Sequence, residues 1–226
     1  MTDNLSRLET FFAPFETFKY EKGLSILQPE DEARYVFYLR SGYVRMYTVS
    51  ESGKQLTLNI FKPASYFPMT WAIGEMPNNY YFEAMTDVNI QKITKERFLE
   101  YIKKEPDLLY DLTRRILVGL GGILTRMEYL LSGSASSRVA STILLSARRF
   151  GVKLPNGDTE ITLPLTHQEI ANLSGLTRES TSVEMGKLAK SNVVIAKNRK
   201  LIVKDMEKLK ETSTIYIDGG SLPITF

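Results

Sequence analysis

Cysteine is absent from the 226-residue chain, and histidine occurs once, at His167. Without cysteine there is no disulfide, no thiol nucleophile, no cysteine-ligated iron–sulfur cluster and no zinc ribbon. A single histidine excludes a two-histidine metal site and a cupin-type histidine cluster, and no histidine lies in the first 166 residues to hold a haem. An all-carboxylate magnesium site stays open. The chain is β-rich in outline like a cupin, but it lacks the histidine cluster that cupin chemistry needs. We expect no resident cofactor and no enzymatic activity.

Long apolar stretches and a strong net charge are also lacking. No run of about 18 apolar residues is present, and the N-terminus has no signal pattern, which with the missing cysteine predicts a cytoplasmic protein without membrane contact. The net charge is only +3, but residues 133–226 hold 13 basic against 9 acidic side chains. Residues 178–200 hold six against two. Such a cluster fits either phosphate contact or a solvated helix face.

The spacing of apolar residues predicts two domains. Residues 1–20 favour a short amphipathic helix, and six short β-rich runs follow between Tyr20 and Ile93, separated by turn signals as in a sandwich or barrel. Thr94 is a helix cap, and a longer helix should begin near Pro106. The serine- and glycine-rich run 132–137 is a hinge, where we place the domain boundary.

The long helix carries an apolar stripe at steps of three and four residues. The candidate dimer-interface residues are Leu109, Leu112, Ile116, Gly119, Ile123, Met127 and Leu130. Three heptads suffice for a two-stranded coiled-coil seam, whereas the alternative is an ordinary helix packed on its own domain. The flanking leucines make the stripe too wide for one surface, which favours a homodimer. The mid-helix glycines allow close helix approach or mark a soft spot.

A helix-turn-helix pattern follows in the C-terminal part. Thr166 and Glu169 fit a capping box, Gly175 supplies the positive φ of a tight turn, and Thr177 caps a second helix that ends near Ser191. Behind it, Val193–Lys197 and Leu201–Val203 predict a basic β-hairpin, or wing. A generic helical hairpin rarely combines a basic second helix with a basic wing, so the pattern indicates DNA binding.

At these residues the chain resembles transcription regulators of the cyclic-AMP receptor protein and fumarate–nitrate reductase regulator (CRP/FNR) superfamily. The resemblance covers almost the whole chain and rests on Lys22-Gly23 with Ile26, on the runs 35–45, 165–171 and 175–179, and on Gly53-Lys54. It implies an α+β protein with an N-terminal antiparallel β-roll, a jelly roll like that of cyclic-nucleotide-binding domains. A long dimerisation helix and a C-terminal winged helix-turn-helix should follow.

The predicted domains are the β-roll sensor at 1–105, the dimerisation helix at 106–132, the hinge at 133–137, the winged helix-turn-helix at 138–211, and an unassigned tail at 212–226. By resemblance Arg178 reads a guanine edge and Glu179 a cytosine amine. Thr166, His167 and Ser180 contact phosphates. The full set of candidate DNA-binding residues is Thr166, His167, Gln168, Thr177, Arg178, Glu179, Ser180, Lys187, Lys197, Arg199 and Lys200.

Two departures from the family pattern change the expected specificity. Val183 stands where relatives carry an arginine, so one base contact is missing or replaced by contact with a thymine methyl. Residues 63–91 contain no lysine or arginine, and Asn78-Asn79 stand where cyclic-nucleotide-binding relatives carry Arg-Ser. Because a buried cyclic phosphate needs a cation, we expect no cyclic-nucleotide binding.

The same stretch is rich in aromatic residues, which either fill the roll or form a pocket. For the second interpretation, the candidate effector-binding residues are Trp71, Tyr80 and Tyr81, and the effector is a small neutral or aromatic molecule. The sequence thus predicts a homodimeric regulator that binds double-stranded DNA. The resemblance allows activation by contact with RNA polymerase, for which the loop 151–158 is the candidate, and repression is equally open. The alternative is an effector-sensing or adaptor protein with weakened DNA binding.

Overall fold

The computed structural model describes residues 7, 9–32, 34–197 and 200–213, and the chain divides into two compact units. The first contains the described residues up to Thr48 together with Thr57–Leu117, and the second contains Val49–Leu56 together with those from Val118 onward. No helix in the described ranges is long and apolar enough to span a bilayer.

The first unit is a β-roll of two four-stranded sheets. One sheet has the order β1-β8-β3-β6 and the other β2-β7-β4-β5. The strands are β1 (Thr17–Tyr20), β2 (Ser25–Leu27), β3 (Tyr35–Ser41), β4 (Val44–Val49), β5 (Gln55–Phe61), β6 (Tyr66–Phe67), β7 (Tyr81–Ala84) and β8 (Val88–Thr94). Helix α1 (Met69–Ala72) follows β6, and helix α2 (Lys95–Lys104) follows β8. The antiparallel β-roll expected from the sequence is confirmed.

Alternation along the strands produces the core of the roll. In β7 the side chains of Phe82 and Ala84 are buried, while those of Tyr81 and Glu83, which alternate with them, are half-buried on the other face. Inside the roll the Phe67 and Phe82 rings stack at 5.2 Å between centroids. A strand has a side-chain period of two, so alternating sequence suffices to fill one face of each sheet.

The N-terminal segment differs from the expectation of a helix over 1–20. Residues 9–12 are helical, but Thr17–Tyr20 form strand β1, paired antiparallel with β8 from Thr17 opposite Gln91 to Tyr20 opposite Val88. The Gln91 side chain also donates to the Phe15 carbonyl at 2.8 Å. These bonds join segments about 70 residues apart in the chain, so local periodicity could not predict them. Most of residues 1–8 lie outside the described ranges.

Helix α3 (Pro106–Ser132) begins at the expected proline, with Asp107 in its first turn, but the hinge that we expected at 133–137 is shorter. Ser134 caps helix α4 (Ala135–Phe150), its side chain accepting from the Ser137 backbone, and Ser137 is buried inside the helix. Only residues 133 and 134 are non-helical. Serine is a good N-cap, so a serine-rich run starts a helix as readily as it forms a linker. The boundary between the compact units falls within α3, at Leu117–Val118.

The stripe predicted along α3 is also partly wrong. Leu112 is fully buried in a cluster with Phe12 and Phe98, so this residue belongs to the core of the first unit rather than to a dimer seam. Of the predicted stripe, Leu109, Ile116, Ile123 and Met127 are exposed, and Leu130 is half-buried. The most exposed apolar residues lie one position further along, at Tyr110, Leu117, Leu124 and Leu131.

The second unit contains α4 and a small sheet that carries three further helices. Strands β9 (Gly151–Lys153), β10 (Thr159–Ile161), β11 (Val194–Lys197) and β12 (Lys200–Val203) form an antiparallel sheet of order β11-β12-β10-β9. Helices α5 (His167–Ser174) and α6 (Arg178–Lys190) lie between β10 and β11 in the chain, and α7 (Met206–Thr212) ends the described fold. The tail at 212–226 lies outside the described residues from 214 onward.

Candidate nucleic-acid interface

Helix α5 begins at the predicted capping box. The Thr166 hydroxyl accepts from the Glu169 backbone N–H at 3.2 Å, and the Glu169 carboxylate accepts from the Thr166 backbone N–H. Gly175 then adopts φ +63°, and its N–H donates to the Ala171 carbonyl. Because this left-handed conformation strains residues that carry a Cβ, glycine fixes the sharp turn between the two helices.

Helix α6 divides into a buried and an exposed face. The Thr177 hydroxyl caps it by accepting from the Ser180 N–H at 3.2 Å. The buried residues are Thr181, Glu184, Met185 and Leu188, and the exposed ones include Arg178, Glu179, Ser180, Val183 and Lys187. The exposed set therefore presents both charges and an apolar Val183, which is 59% exposed, as expected for a helix that reads base edges.

His167 and Gln168, at the start of α5, are both held by side chains. Nδ1 of His167 lies 2.8 Å from the Ser182 Oγ, which joins the first turn of α5 to α6. Gln168 donates through Nε2 to the Asn172 Oδ1 at 2.8 Å. Ser182 was missed by the sequence reasoning, although it lies one helical turn after Arg178 and that spacing could have identified it.

Two of the predicted DNA-contacting lysines form ion pairs within the unit. Lys187 lies 2.7 Å from a Glu184 carboxylate oxygen, and Lys200 of the wing lies 2.6 Å from Glu160. Both lysine side chains remain more than half exposed, so each can turn to a phosphate at small cost, since exposed pairs contribute about 0–1 kcal/mol. Lys197 is exposed on β11, and Arg199 lies outside the described residues.

The three aromatic residues proposed for an effector are not brought together. Trp71 packs against the cluster around Phe12, with the Lys95 Nζ 5.0 Å from its ring centroid. Tyr80 packs against the separate cluster inside the roll, and Tyr81 stacks on Tyr47 at 5.0 Å. The structure thus distributes them over two cores and one outer face.

Asn78, which the resemblance places where cyclic-nucleotide-binding relatives carry an arginine, has a structural role. It is buried, and its Nδ2 donates to the carbonyls of Gln28 at 2.7 Å and Tyr80 at 2.9 Å. Arg45, on neighbouring β4, forms a two-point pair with Glu83, its Nε and Nη2 each 3.1 Å from a carboxylate oxygen. Within the described ranges, no group of three or more His, Asp or Glu side chains is placed to hold a metal ion.

A β-roll followed along the chain by a winged helix-turn-helix defines the class of protein as a DNA-binding transcription regulator, and the comparisons with known proteins agree. The cyclic nucleotide-binding domain family matches residues 17–105, and the Crp-like helix-turn-helix domain family matches residues 137–212. The chain belongs to the CRP/FNR superfamily of transcription regulators.

Relatives and solved structures extend over almost the whole chain. The global nitrogen regulator of Synechocystis sp. is 28% identical over 201 residues, 86% of this chain and 87% of the relative. Transcriptional regulator SdrP of Thermus thermophilus is 28% identical, covering 87% and 93%. A variant of CooA from Carboxydothermus hydrogenoformans has a TM-score of 0.74 at 26% identity, covering 89% of each chain. The likeness therefore includes both domains.

Proposed function

We propose that the protein is a homodimeric transcription regulator that reads a two-fold symmetric DNA site and does not depend on a cyclic nucleotide. The observation that carries DNA reading is the exposed face of α6, which presents Arg178, Glu179, Val183 and Lys187. The cap at Thr177 fixes the start of this helix, and the turn at Gly175 joins it to α5. A helix presented in this way fits the major groove, and its N-terminal residues reach the base edges.

The homodimer rests on the exposed face of α3. Leu117, Leu120, Leu124, Met127 and Leu131 follow steps of three and four residues, and each is at least 49% exposed in the single chain. This spacing is the heptad pattern of a two-stranded seam, whose natural partner is a second copy of the same helix. This face shares Met127 with the stripe predicted on the sequence and otherwise lies one residue further along, and Leu112 of the predicted stripe is already buried in its own unit.

Independence from cyclic nucleotides rests on two polar side chains of the first unit, Asn78 and Arg45, whose hydrogen bonds are already used within the chain. Asn78 is committed to two backbone carbonyls, and the Arg45 guanidinium is already neutralised by Glu83. Among the described residues, phenylalanine rings pack on one another inside the roll, with the Phe67 and Phe82 ring centroids 5.2 Å apart. A cyclic phosphate in such surroundings would lose its hydration without gaining a cation.

The test is selection of binding sites from a randomised duplex library by the purified full-length protein, followed by affinity measurements at several salt concentrations. We expect an enriched site with two symmetric half-sites one helical turn apart, and affinity that falls steeply with salt. Arg178→Ala should cost about 1–3 kcal/mol in specific binding and relax the preference at one position per half-site. Shallow salt dependence with no enriched site would instead support the adaptor alternative.

A second experiment tests the sensor part. Light scattering over a dilution series should show a dimer, and adding cyclic AMP or cyclic GMP should leave the affinity for the selected site unchanged. A rise in affinity with either nucleotide would refute the proposed independence.

The small neutral or aromatic effector stays a prediction, which can be tested by titrating candidate molecules and following the fluorescence of Trp71, the single tryptophan. RNA polymerase contact through the loop 151–158 is likewise a prediction.

A further inference from the structure

Two arginines from different helices converge on the carbonyl end of α5. Arg126, near the end of α3, donates through Nη2 to the Leu173 carbonyl at 2.6 Å. Arg138, in the first turn of α4, donates through Nε to the Ser174 carbonyl at 2.9 Å and through Nη2 to the Gly175 carbonyl at 3.1 Å. Three consecutive carbonyls that α5 leaves without helical partners are therefore bound by guanidinium groups, which we call the arginine clamp.

The clamp has favourable electrostatics at an otherwise costly position. A helix C-terminus carries partial negative charge, so a cation there is stabilised by the helix dipole as well as by the hydrogen bonds. Arg126 is only 4% exposed. Burial lowers its pKa, while the neighbouring Tyr129 hydroxyl opposes that shift. A guanidinium has a rigid planar fork, so its hydrogen bonds fix direction as well as distance.

The clamped carbonyls lie immediately before α6, the helix proposed to read DNA, which we call the recognition helix. Gly175 bends the chain, Leu176 and Thr177 follow, and α6 begins at Arg178. A Cβ added to Gly175 would lie 2.8 Å from the Arg138 Nη2, so the arginine also occupies the space that a side chain at the turn would need. The direction in which α6 leaves the turn is therefore tied to two side chains that lie on α3 and α4.

We propose that Arg126 and Arg138 are positioning residues for DNA recognition. They hold the helix-turn-helix at a fixed orientation to the end of α3, so that the two recognition helices of a dimer meet successive major grooves together. This inference rests on the proposed function. It predicts that the arginines affect specific binding, which needs both helices aligned, and not non-specific binding, which depends on the charge of the surface.

The first test compares Arg126→Met, Arg138→Gln and Arg138→Lys with Arg34→Gln, a control at an exposed arginine of the first unit. Affinity is measured for the selected site and for a scrambled duplex, each over a salt series, with the active fraction fixed by stoichiometric titration. Losing a hydrogen bond to a charged group should weaken specific binding about tenfold to a hundredfold. Affinity for the scrambled duplex and both salt slopes should stay unchanged. Arg138→Lys should recover part of the loss, because it keeps the charge.

Two DNA outcomes would overturn the proposal. In the first, the folded variants bind the selected site as tightly as the unchanged protein. In the second, specific and scrambled binding weaken in parallel with a reduced salt slope, which would show that the arginines contact phosphates directly. If Arg126→Met does not fold, the two substitutions at the partly exposed Arg138 carry the same test.

A second readout needs no DNA. Because the chain has no cysteine, Glu128→Cys with Ala189→Cys places one spin label on α3 and one on α6, both at exposed positions. Labelled chains are diluted with unlabelled ones so that distances within one chain dominate. The clamp predicts a narrow distance distribution that broadens in Arg126→Met or Arg138→Gln and stays narrow in Arg34→Gln. An unchanged width refutes the clamp, whereas a protein that selects no DNA site refutes the proposed function alone.

Discussion

Leu112 and Leu124 lie on the same helix and have the same side chain, yet truncating them should affect different properties. We expect Leu112→Ala to lower the stability of the chain and Leu124→Ala to weaken the dimer. Leu112 is fully buried against Phe12 and Phe98, whereas Leu124 is 57% exposed in the single chain. Alanine favours helix, so neither substitution weakens α3 itself. We expect Leu112→Ala to lower the free energy of unfolding by about 2–5 kcal/mol, because a buried leucine leaves a cavity.

At Leu124 the expected effect is on the dissociation constant of the proposed dimer. Fully burying a leucine stabilises by about 1.5–3 kcal/mol, so the exposed half of this side chain accounts for about 1 kcal/mol when a partner helix covers it. A symmetric dimer contains two copies, which together amount to about 2 kcal/mol, or a dissociation constant raised about 30-fold. The stability of the separate chain should change by about 1 kcal/mol or less.

Two measurements separate the positions. Analytical ultracentrifugation over a dilution series gives the dimer dissociation constant, and urea unfolding at several protein concentrations gives the stability. Leu112→Ala should lower the stability and leave the dissociation constant of the folded protein unchanged. If Leu124→Ala leaves the dissociation constant unchanged, or if Leu112→Ala raises it without loss of stability, the assignment of these two faces is wrong.

Three further predictions concern the turn, the core and the base-reading face. Gly175→Ala should lower the urea-unfolding free energy by about 1–2 kcal/mol, because φ is +63° there, whereas Gly186→Ala, in open space within α6, should stabilise by up to about 1 kcal/mol. Burial raises the pKa of Tyr66 to about 12, so its contribution to stability is complete below about pH 10 and is lost as the pH rises toward 12; Tyr66→Phe should remove that part of the alkaline dependence in urea unfolding. Val183→Arg should add a guanine preference at one position of each half-site in site selection, and an unchanged selected sequence would show that this residue does not face a base.

Local patterns predicted the elements whose determinants are local. The capping box at Thr166, the cap at Thr177 and the left-handed turn at Gly175 were readable because each depends on side-chain-to-backbone bonds within a few residues. Most β-roll strands were readable because alternation with a period of two fills one face of a sheet. Strand β1 was not, since its pairing with β8 depends on residues far away in the chain.

The sequence could not predict which face of a helix is buried or which distant segments pack together. The periodicity of α3 fits two neighbouring stripes, and only the structure shows that Leu112 belongs to the core of the first unit while other residues of the predicted stripe are exposed. The aromatic residues of the first unit lie close together in the sequence but not in the structure, since Trp71 and Tyr80 pack against separate clusters. Ion pairs such as Lys200 with Glu160 likewise join residues that no spacing rule connects.

The sequence by itself determined the helix caps, the turn at Gly175 and most of the strands, because these depend on bonds and alternation over short distances, and its motifs indicated the family and the order of the domains. The tertiary structure decided which residues of α3 are exposed, that Asn78 donates to backbone carbonyls, and that Arg126 and Arg138 converge on one helix end. These depend on contacts between segments distant in the chain, and such contacts are set by packing and burial rather than by local sequence pattern.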